Sequence, residues 1–279
     1  MADQQKLVHY AVFVTPIYQG KAELDNGGEF SVSRLFTEFD VTMPLSRKVI
    51  MTLAFGYDIE NYNFSDIPGF AGVKPWDDIR RFGFRPQFFF RGKKRWNYIF
   101  TPIVQWVGET NADSDESLIY GATFGATYTF SRKLTIGPAV GAFSRLEKTT
   151  IFPFLFINWK INERLTLRNP FRAGPAGTAG LELVYTPNEK WEIAGGGAVR
   201  SFRFRLDDEG PVPNGIGESS GLPLFARVTR KFGPQFKLDV YAGAFLEGQL
   251  DVENSDGDLL AADTYDPAPL VAVTFGGRF

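Results

Sequence analysis

The last stretch of this chain, Pro269-Leu-Val-Ala-Val-Thr-Phe-Gly-Gly-Arg-Phe279, is the one that most constrains what it can fold into. Counting back by twos from Phe279 gives Gly277, Phe275, Val273, Val271 and Pro269; between them lie Arg278, Gly276, Thr274, Ala272 and Leu270. Successive strand side chains point to opposite faces, so this is a period-two strand that runs to the final residue, with an apolar face and a small or polar one. The same comb recurs upstream. Val49, Met51, Leu53, Phe55, Tyr57 and Ile59 form one, Leu118, Tyr120, Ala122, Phe124, Ala126, Tyr128 and Phe130 another, and Phe236, Leu238, Val240, Ala242, Ala244 and Leu246 a third.

Alternation on this scale explains the composition. The chain carries 28 Phe, 10 Tyr and 5 Trp, yet its mean hydropathy is near neutral. A wall that is greasy outside and polar inside averages out that way. No run of about 18 apolar residues exists, so no helix spans a bilayer. A closed barrel is the other structure that satisfies every backbone group in lipid. The combs predict strands near 6–17, 29–43, 48–60, 78–91, 95–108, 117–131, 133–146, 149–161, 164–172, 179–187, 190–205, 222–231, 235–247 and 267–279. That is an all-β, transmembrane, antiparallel up-and-down barrel of about 14 strands, forming a single domain over 1–279. Twelve strands remain open as an alternative. Pro86, Pro102, Pro138 and Pro153 fall inside strands, where each removes a ladder bond or sits at a bulge, and the segment 164–172 is short and broken by Pro170.

The connections alternate between short and long, and charge follows that division. Short turns hold Arg47, Lys48, Lys93, Lys94, Arg95, Arg132, Lys133, Arg164, Lys190 and Lys231. Long loops near 18–28, 60–77, 109–117, 173–179, 206–221 and 248–266 hold Glu109, Asp113, Asp115, Glu116, Asp207, Asp208, Glu209, Glu218, Asp251, Glu253, Asp256, Asp258, Asp263 and Asp266.

These features resemble Gram-negative outer-membrane β-barrels, whose terminal aromatic, here Phe279, is part of the signal read by the barrel assembly machinery. The aromatics Trp96, Trp106, Trp159 and Trp191 near strand ends look like interfacial girdles. Gly221-Leu-Pro-Leu-Phe-Ala-Arg-Val228 and Tyr265-Asp-Pro-Ala-Pro269 look like a porin-like family of outer-membrane barrels of unassigned function, one that brings no catalytic residues. The resemblance implies an outer-membrane location, short periplasmic turns, long extracellular loops, and lipid and lipopolysaccharide as surroundings. Acidic outer loops could share divalent cations with the lipopolysaccharide. Met1-Ala-Asp-Gln-Gln lacks the basic and apolar regions of a leader, so Met1 is read as an added start on a mature chain. With a net charge of −2, nothing points to nucleic acid.

Function then lies in the lumen. Phasing each strand by its apolar comb turns Arg34, Phe36, Glu38 and Asp40 inward on the second strand and Asp58 on the third. Arg81, Arg85, Gln87, Phe89 and Arg91 follow on the fourth, and Asn97, Thr101 and Gln105 on the fifth. Arg145, Arg168, Glu182, Glu192, Arg200, Arg227, Asp239 and Tyr241 follow on later strands. Carboxylates on the second and third strands therefore lie near guanidiniums on the fourth, which suit planar two-bond pairing. Two readings stand at this level: charges screening solutes in a wet channel, or ion pairs that stiffen the wall and fill the bore. Small inward residues (Gly121, Gly125, Gly137, Gly141, Gly196, Gly243, Gly276) either leave space or receive rings such as Phe143, Phe152, Phe154, Phe156, Phe202 and Phe245. If the rings point inward, a hydrophobic solute suits the bore better than a sugar.

Chemistry is sparse. Cysteine is absent and histidine occurs once, so disulfides, thiolate sites and a typical zinc site are excluded. His9 lies near the periplasmic end of the first strand, whereas Ser31 and Ser33 lie near the outer end of the second, beyond the roughly 3 Å a base must reach. The run Asp251–Asp258 fails the EF-hand pattern, because Val252 stands where a carboxylate is needed. Gly195-Gly-Gly197 lies within a strand comb and is no phosphate loop. No enzyme activity and no cofactor are expected. The leading expectation is a passive channel for small solutes; the alternatives are a closed-lumen structural or surface-interaction barrel and a transporter of hydrophobic solutes.

Overall fold

The computed structural model describes residues 8–70, 73–170, 174–177 and 179–279. Its strands are β1 (His9–Glu23), β2 (Glu29–Pro44), β3 (Val49–Ser65), β4 (Asp78–Arg91), β5 (Trp96–Glu109), β6 (Leu118–Thr129), β7 (Leu134–Arg145) and β8 (Lys148–Lys160). They continue as β9 (Leu165–Arg168), β10 (Gly180–Asn188), β11 (Trp191–Ala198), β12 (Arg200–Arg205), β13 (Ile216–Phe232), β14 (Phe236–Glu253), β15 (Leu259–Tyr265) and β16 (Ala268–Arg278). From β1 to β11 each pairs antiparallel with its chain neighbour, β13 pairs with β14, and β16 returns to β1, which closes the sheet. Two staves are broken in the middle. β11 and β12 both pair with β13, on either side of Val199, and β15 and β16 both pair with β14, on either side of Asp266 and Pro267. The result is a closed antiparallel barrel of fourteen staves. Closure leaves no free edge, which is what a sheet in hydrocarbon requires.

The terminal strand is bolted on both sides. Phe279 and Tyr10 exchange backbone hydrogen bonds of 2.8 and 2.9 Å, while the Phe279 ring meets Phe236 at 5.6 Å. The outward combs fall where alternation places them: Phe39, Phe55, Tyr57, Phe82, Tyr120, Phe124, Ile193, Val240, Val271 and Phe275 are all exposed on the wall. So are Trp96, Trp106, Trp159 and Trp191. Trp76, the remaining tryptophan, is buried instead.

The prolines sit where the ladder is interrupted. Between β4 and β5 the pairing passes from Phe84↔Val104 to Phe88↔Phe100, and the skipped residues include Pro86 and Pro102. Between β6 and β7 it passes from Gly125↔Ala139 to Tyr128↔Ile136, skipping Pro138. A proline has no N–H to give a ladder, so such gaps are the tolerable positions. Pro153 opposes Val140 on β7, and on the other side β8 pairs with β9 only through Asn158, Trp159 and Lys160.

That last point corrects the strand expected over 164–172. It is only Leu165–Arg168, followed by Asn169 and Pro170, and its positions 171–172 lie outside the described residues. Asn169 stands in for a strand there: its side chain accepts from the Ile157 N–H at 3.0 Å and donates to the carbonyls of Leu155 and Gly180 at 2.8 and 3.0 Å. Two supposed loops also contain strand. The segment expected to be a loop over 248–266 holds the end of β14 and all of β15, and 216–221, expected in the loop 206–221, is the start of β13. The acidic run Asp251–Asp258 is thus strand end and hairpin turn, in which Asn254 Oδ1 accepts from the Asp256 and Asp258 N–H groups. Polar outer hairpins alternate too weakly to be read from hydropathy alone.

The core is densest at the outer end, which it plugs, and it reaches down the bore to Phe225 and Tyr241. Leu24, Phe30, Val32, Tyr62, Trp76, Phe204, Ile216, Leu250 and Tyr265 are buried together. Phe204 meets the Trp76 ring at 5.1 Å, and Tyr62 meets it edge-on at 5.6 Å. β12 makes this possible by leaving the wall. Arg205 bridges to Gly108 of β5, and Arg203 donates to the Leu146 carbonyl beyond β7 at 2.9 Å. β5 and β7 stand far around the ring from β11, so β12 must cross the lumen to reach them.

Candidate functional site

The inward rows assemble into two charged clusters. On β2–β4 the register sets Arg34 opposite Glu60 and Asp58 opposite Arg81. Arg34 Nε donates to Glu60 at 2.8 Å and Nη1 to Gln19 at 2.9 Å. Arg81 reaches Asp58 at 3.2 Å and Glu60 at 3.3 Å, and Arg85 pairs with Glu38. Asp40 sits on the inward file two residues beyond Glu38, and Gln87 donates to Thr101 at 3.4 Å. The second cluster occupies the opposite wall. Arg227 donates to Glu182 at 3.1 and 3.2 Å and to Asp239 at 3.2 Å. Arg168 holds Glu182 at 2.8 Å, Lys237 holds Asp239 at 2.7 Å, and Lys231 holds Glu192 at 2.7 Å. Tyr241 is buried against Phe225 at 5.7 Å.

The structure gathers Arg34, Glu38, Asp58, Arg81 and Arg85 on one wall and Arg168, Glu182, Glu192, Arg227 and Asp239 on the opposite one, while Arg145, which meets Ser201, and Arg200, which meets the Phe36 and Phe202 rings, join neither. Phase alone identified their parity; it could not say which side chains would be desolvated. Arg227, Glu182 and Asp239 are 2%, 1% and 0% exposed, so on that side the bore is filled. Sequence reasoning missed Glu60, because β3 was expected to end there; it runs on to Ser65, and Glu60 shares the inward parity of Asp58. It also missed Arg203 and Arg205. Arg203 binds Glu218 at 3.0 Å and Glu253 at 2.5 Å, and Arg205 binds Glu147 at 2.8 Å. These pairs pin β12 across the mouth.

Beneath the plug, on the β2–β8 side, the lumen opens into a cavity of about 650 Å³. One wall is the arginine and carboxylate row of Glu38, Asp58, Arg81 and Arg85; the other is Phe143, Phe152 and Phe154. Phe143 and Phe152 stack at 5.7 Å, and Phe154 lies 5.9 Å from Phe152 and 5.1 Å from Phe156. The two readings of the small and aromatic residues are resolved together: on β8 the rings point inward, and glycines receive them. A Cβ on Gly141 would stand 2.8 Å from both Phe143 and Phe152, and one on Gly125 would stand 2.6 Å from Phe156. The cavity also touches Pro153, Ala179 and Val199, at the stretch of wall where β8 has no ladder partner on its β9 side among the described residues.

His9 stands opposite Thr42, whereas Ser33 stands opposite Tyr18. Nine residues of strand, about 30 Å, separate the histidine from that serine. Among the described residues no three His, Asp or Glu side chains group as a metal site.

No family model and no curated protein matches the sequence. Solved structures do. The COG4313 outer membrane channel from Pseudomonas putida F1 is similar over 100% of this chain and 97% of its own, at 10% identity and a TM-score of 0.51. The P. putida toluene transporter TodX matches over 99% and 91%, at 9% identity and 0.47. A Pseudomonas aeruginosa FadL homologue matches over 99% and 90%, at 11% identity and 0.43. At these identities the likeness is one of fold, and the fold is that of an outer-membrane β-barrel.

Proposed function

We propose that this protein is an outer-membrane channel for small apolar or amphipathic solutes, which lodge in the lumen cavity between the arginine row and the phenylalanine wall. The observation that carries this reading is the lining: three inward phenylalanines face a charged row across a space of about 650 Å³, the size of a small-molecule site. The buried aromatic plug and the desolvated Arg227 network argue against a wide water path.

A passive channel for small polar solutes is the second reading. It is favoured by Gln87, Asn97, Thr101 and the threonine pairs Thr42–Thr52 and Thr129–Thr135, at 2.9 and 3.1 Å, which line the periplasmic half on the β2–β7 side.

Planar-bilayer recording paired with a binding assay separates the two. The folded barrel is expected to carry no steady porin-sized current and to bind 2-naphthamide saturably. Gly141→Leu, which drives Phe143 and Phe152 into the cavity, is expected to weaken that binding at least about tenfold. Stable ohmic current, uptake of small sugars and no saturable binding would overturn the apolar-solute reading.

A further inference from the structure

Resting on that reading, we infer that Arg200 is an anion-binding anchor and that the preferred solute carries a single carboxylate on an aromatic body. Three guanidiniums surround the Phe202 ring: Arg34 and Arg81 at 5.3 Å and Arg200 at 4.5 Å. Two of them are answered, Arg34 by Glu60 and Arg81 by Asp58 and Glu60. Arg200 has no carboxylate within 4 Å among the described residues and no hydrogen bond to them; its contacts are the faces of Phe202 and Phe36, the latter at 5.7 Å.

The other arginines lining the cavity are also engaged. Arg85 holds Glu38, Arg203 holds Glu218 and Glu253, and Arg145 donates to Ser201 Oγ at 2.8 Å. Among the described residues Arg200 is thus the cavity-lining arginine without a bonded carboxylate; Glu60 and Asp58 act on it only through space, and its half-buried side chain lines the open cavity. A low-dielectric site makes a lone cation costly unless an anion joins it. The two aromatic faces leave the guanidinium fork free for a planar two-oxygen acceptor, which describes a carboxylate.

Local backbone keeps the fork in place. Gly177 is in the left-handed region at φ 68°, and a Cβ there would overlap Arg200 Nη1. The glycine therefore serves two needs: a conformation that other residues rarely adopt, and room for the guanidinium. Across the cavity the Phe143–Phe152–Phe154 wall supplies ring faces, which select an aromatic body over a long flexible one.

The test is a pair of probes of one shape, 2-naphthoate and 2-naphthamide, titrated calorimetrically into the folded barrel in detergent. Wild type is expected to bind the carboxylate about tenfold to a hundredfold more tightly than the amide, the range for a charge-assisted hydrogen-bonded pair. The ratio is expected to fall to near one in Arg200→Gln. Gly177→Ala, which displaces the guanidinium without removing it, is expected to lower the ratio as well, and Arg200→Lys to retain part of it. Equal binding of both probes by wild type, or an undiminished ratio in folded Arg200→Gln, would overturn the anchor while leaving the apolar-solute reading intact. Binding of neither probe would overturn both.

Discussion

Truncating Arg227 is the perturbation that most directly asks whether the inner charges are dry or wet. In Arg227→Leu the guanidinium is replaced by an apolar group. Glu182 and Asp239, at 1% and 0% exposure, lose contacts of 3.1–3.2 Å. Breaking a buried pair in this way costs about 3–5 kcal/mol, because a charge is left behind in a low-dielectric site. Here the lower end applies. Glu182 keeps Arg168 at 2.8 Å and Asp239 keeps Lys237 at 2.7 Å, so neither carboxylate is stranded. The expected loss is about 3 kcal/mol, read as a shift in the denaturant midpoint of the barrel refolded in vesicles, with an unchanged slope. Adding Glu182→Gln should recover part of it, since one of the two carboxylates that lost a partner is then neutral. If the same arginine instead stood in a water-filled bore, its removal would cost no more than about 1 kcal/mol and would raise conductance. A loss that small, with a current appearing, would refute the filled-bore argument.

Two further outcomes follow from groups outside the wall. Burial beside Glu218 and Glu253 raises the Asp251 pKa above 3.8 on the outer hairpin. A raised acid contributes stability below its unfolded pKa and loses it as pH climbs through the folded one, so Asp251 is a liability at neutral pH. Asp251→Asn, whose oxygen can still accept from Gln249, is expected to raise the melting temperature by about 1–2 °C at pH 7, with no gain at pH 3 in a thermal scan. Phe279 is 58% exposed and its ring packs on Phe236 beside Gly277, so Phe279→Ala should move the unfolding midpoint by less than about 1 kcal/mol. The same change should sharply lower the yield inserted in cells if the terminal ring acts as an assembly signal; equal insertion by heat-modifiability on gels would remove that role.

The sequence alone determined the strands and the parity of nearly every inward side chain, while closure on Phe279 was implied by the resemblance of the terminal strand to outer-membrane barrels. Strand and parity follow from a period of two, which is local and survives any tertiary arrangement. Even the Arg81–Asp58 pair was within reach, since hairpin register sets those residues opposite each other. What only the tertiary structure decided is how the bore is filled. β12 and β11 read as one continuous strand, and nothing in their alternation marks Val199 as the point where the chain leaves the wall and crosses to β5 and β7. That detour turns Phe202, Phe204, Arg203 and Arg205 into a buried plug and leaves Arg200 facing a cavity. A strand's pattern tells each residue which side it is on, but it carries no record of what stands on the far wall, and contacts across a lumen are set by that distance alone.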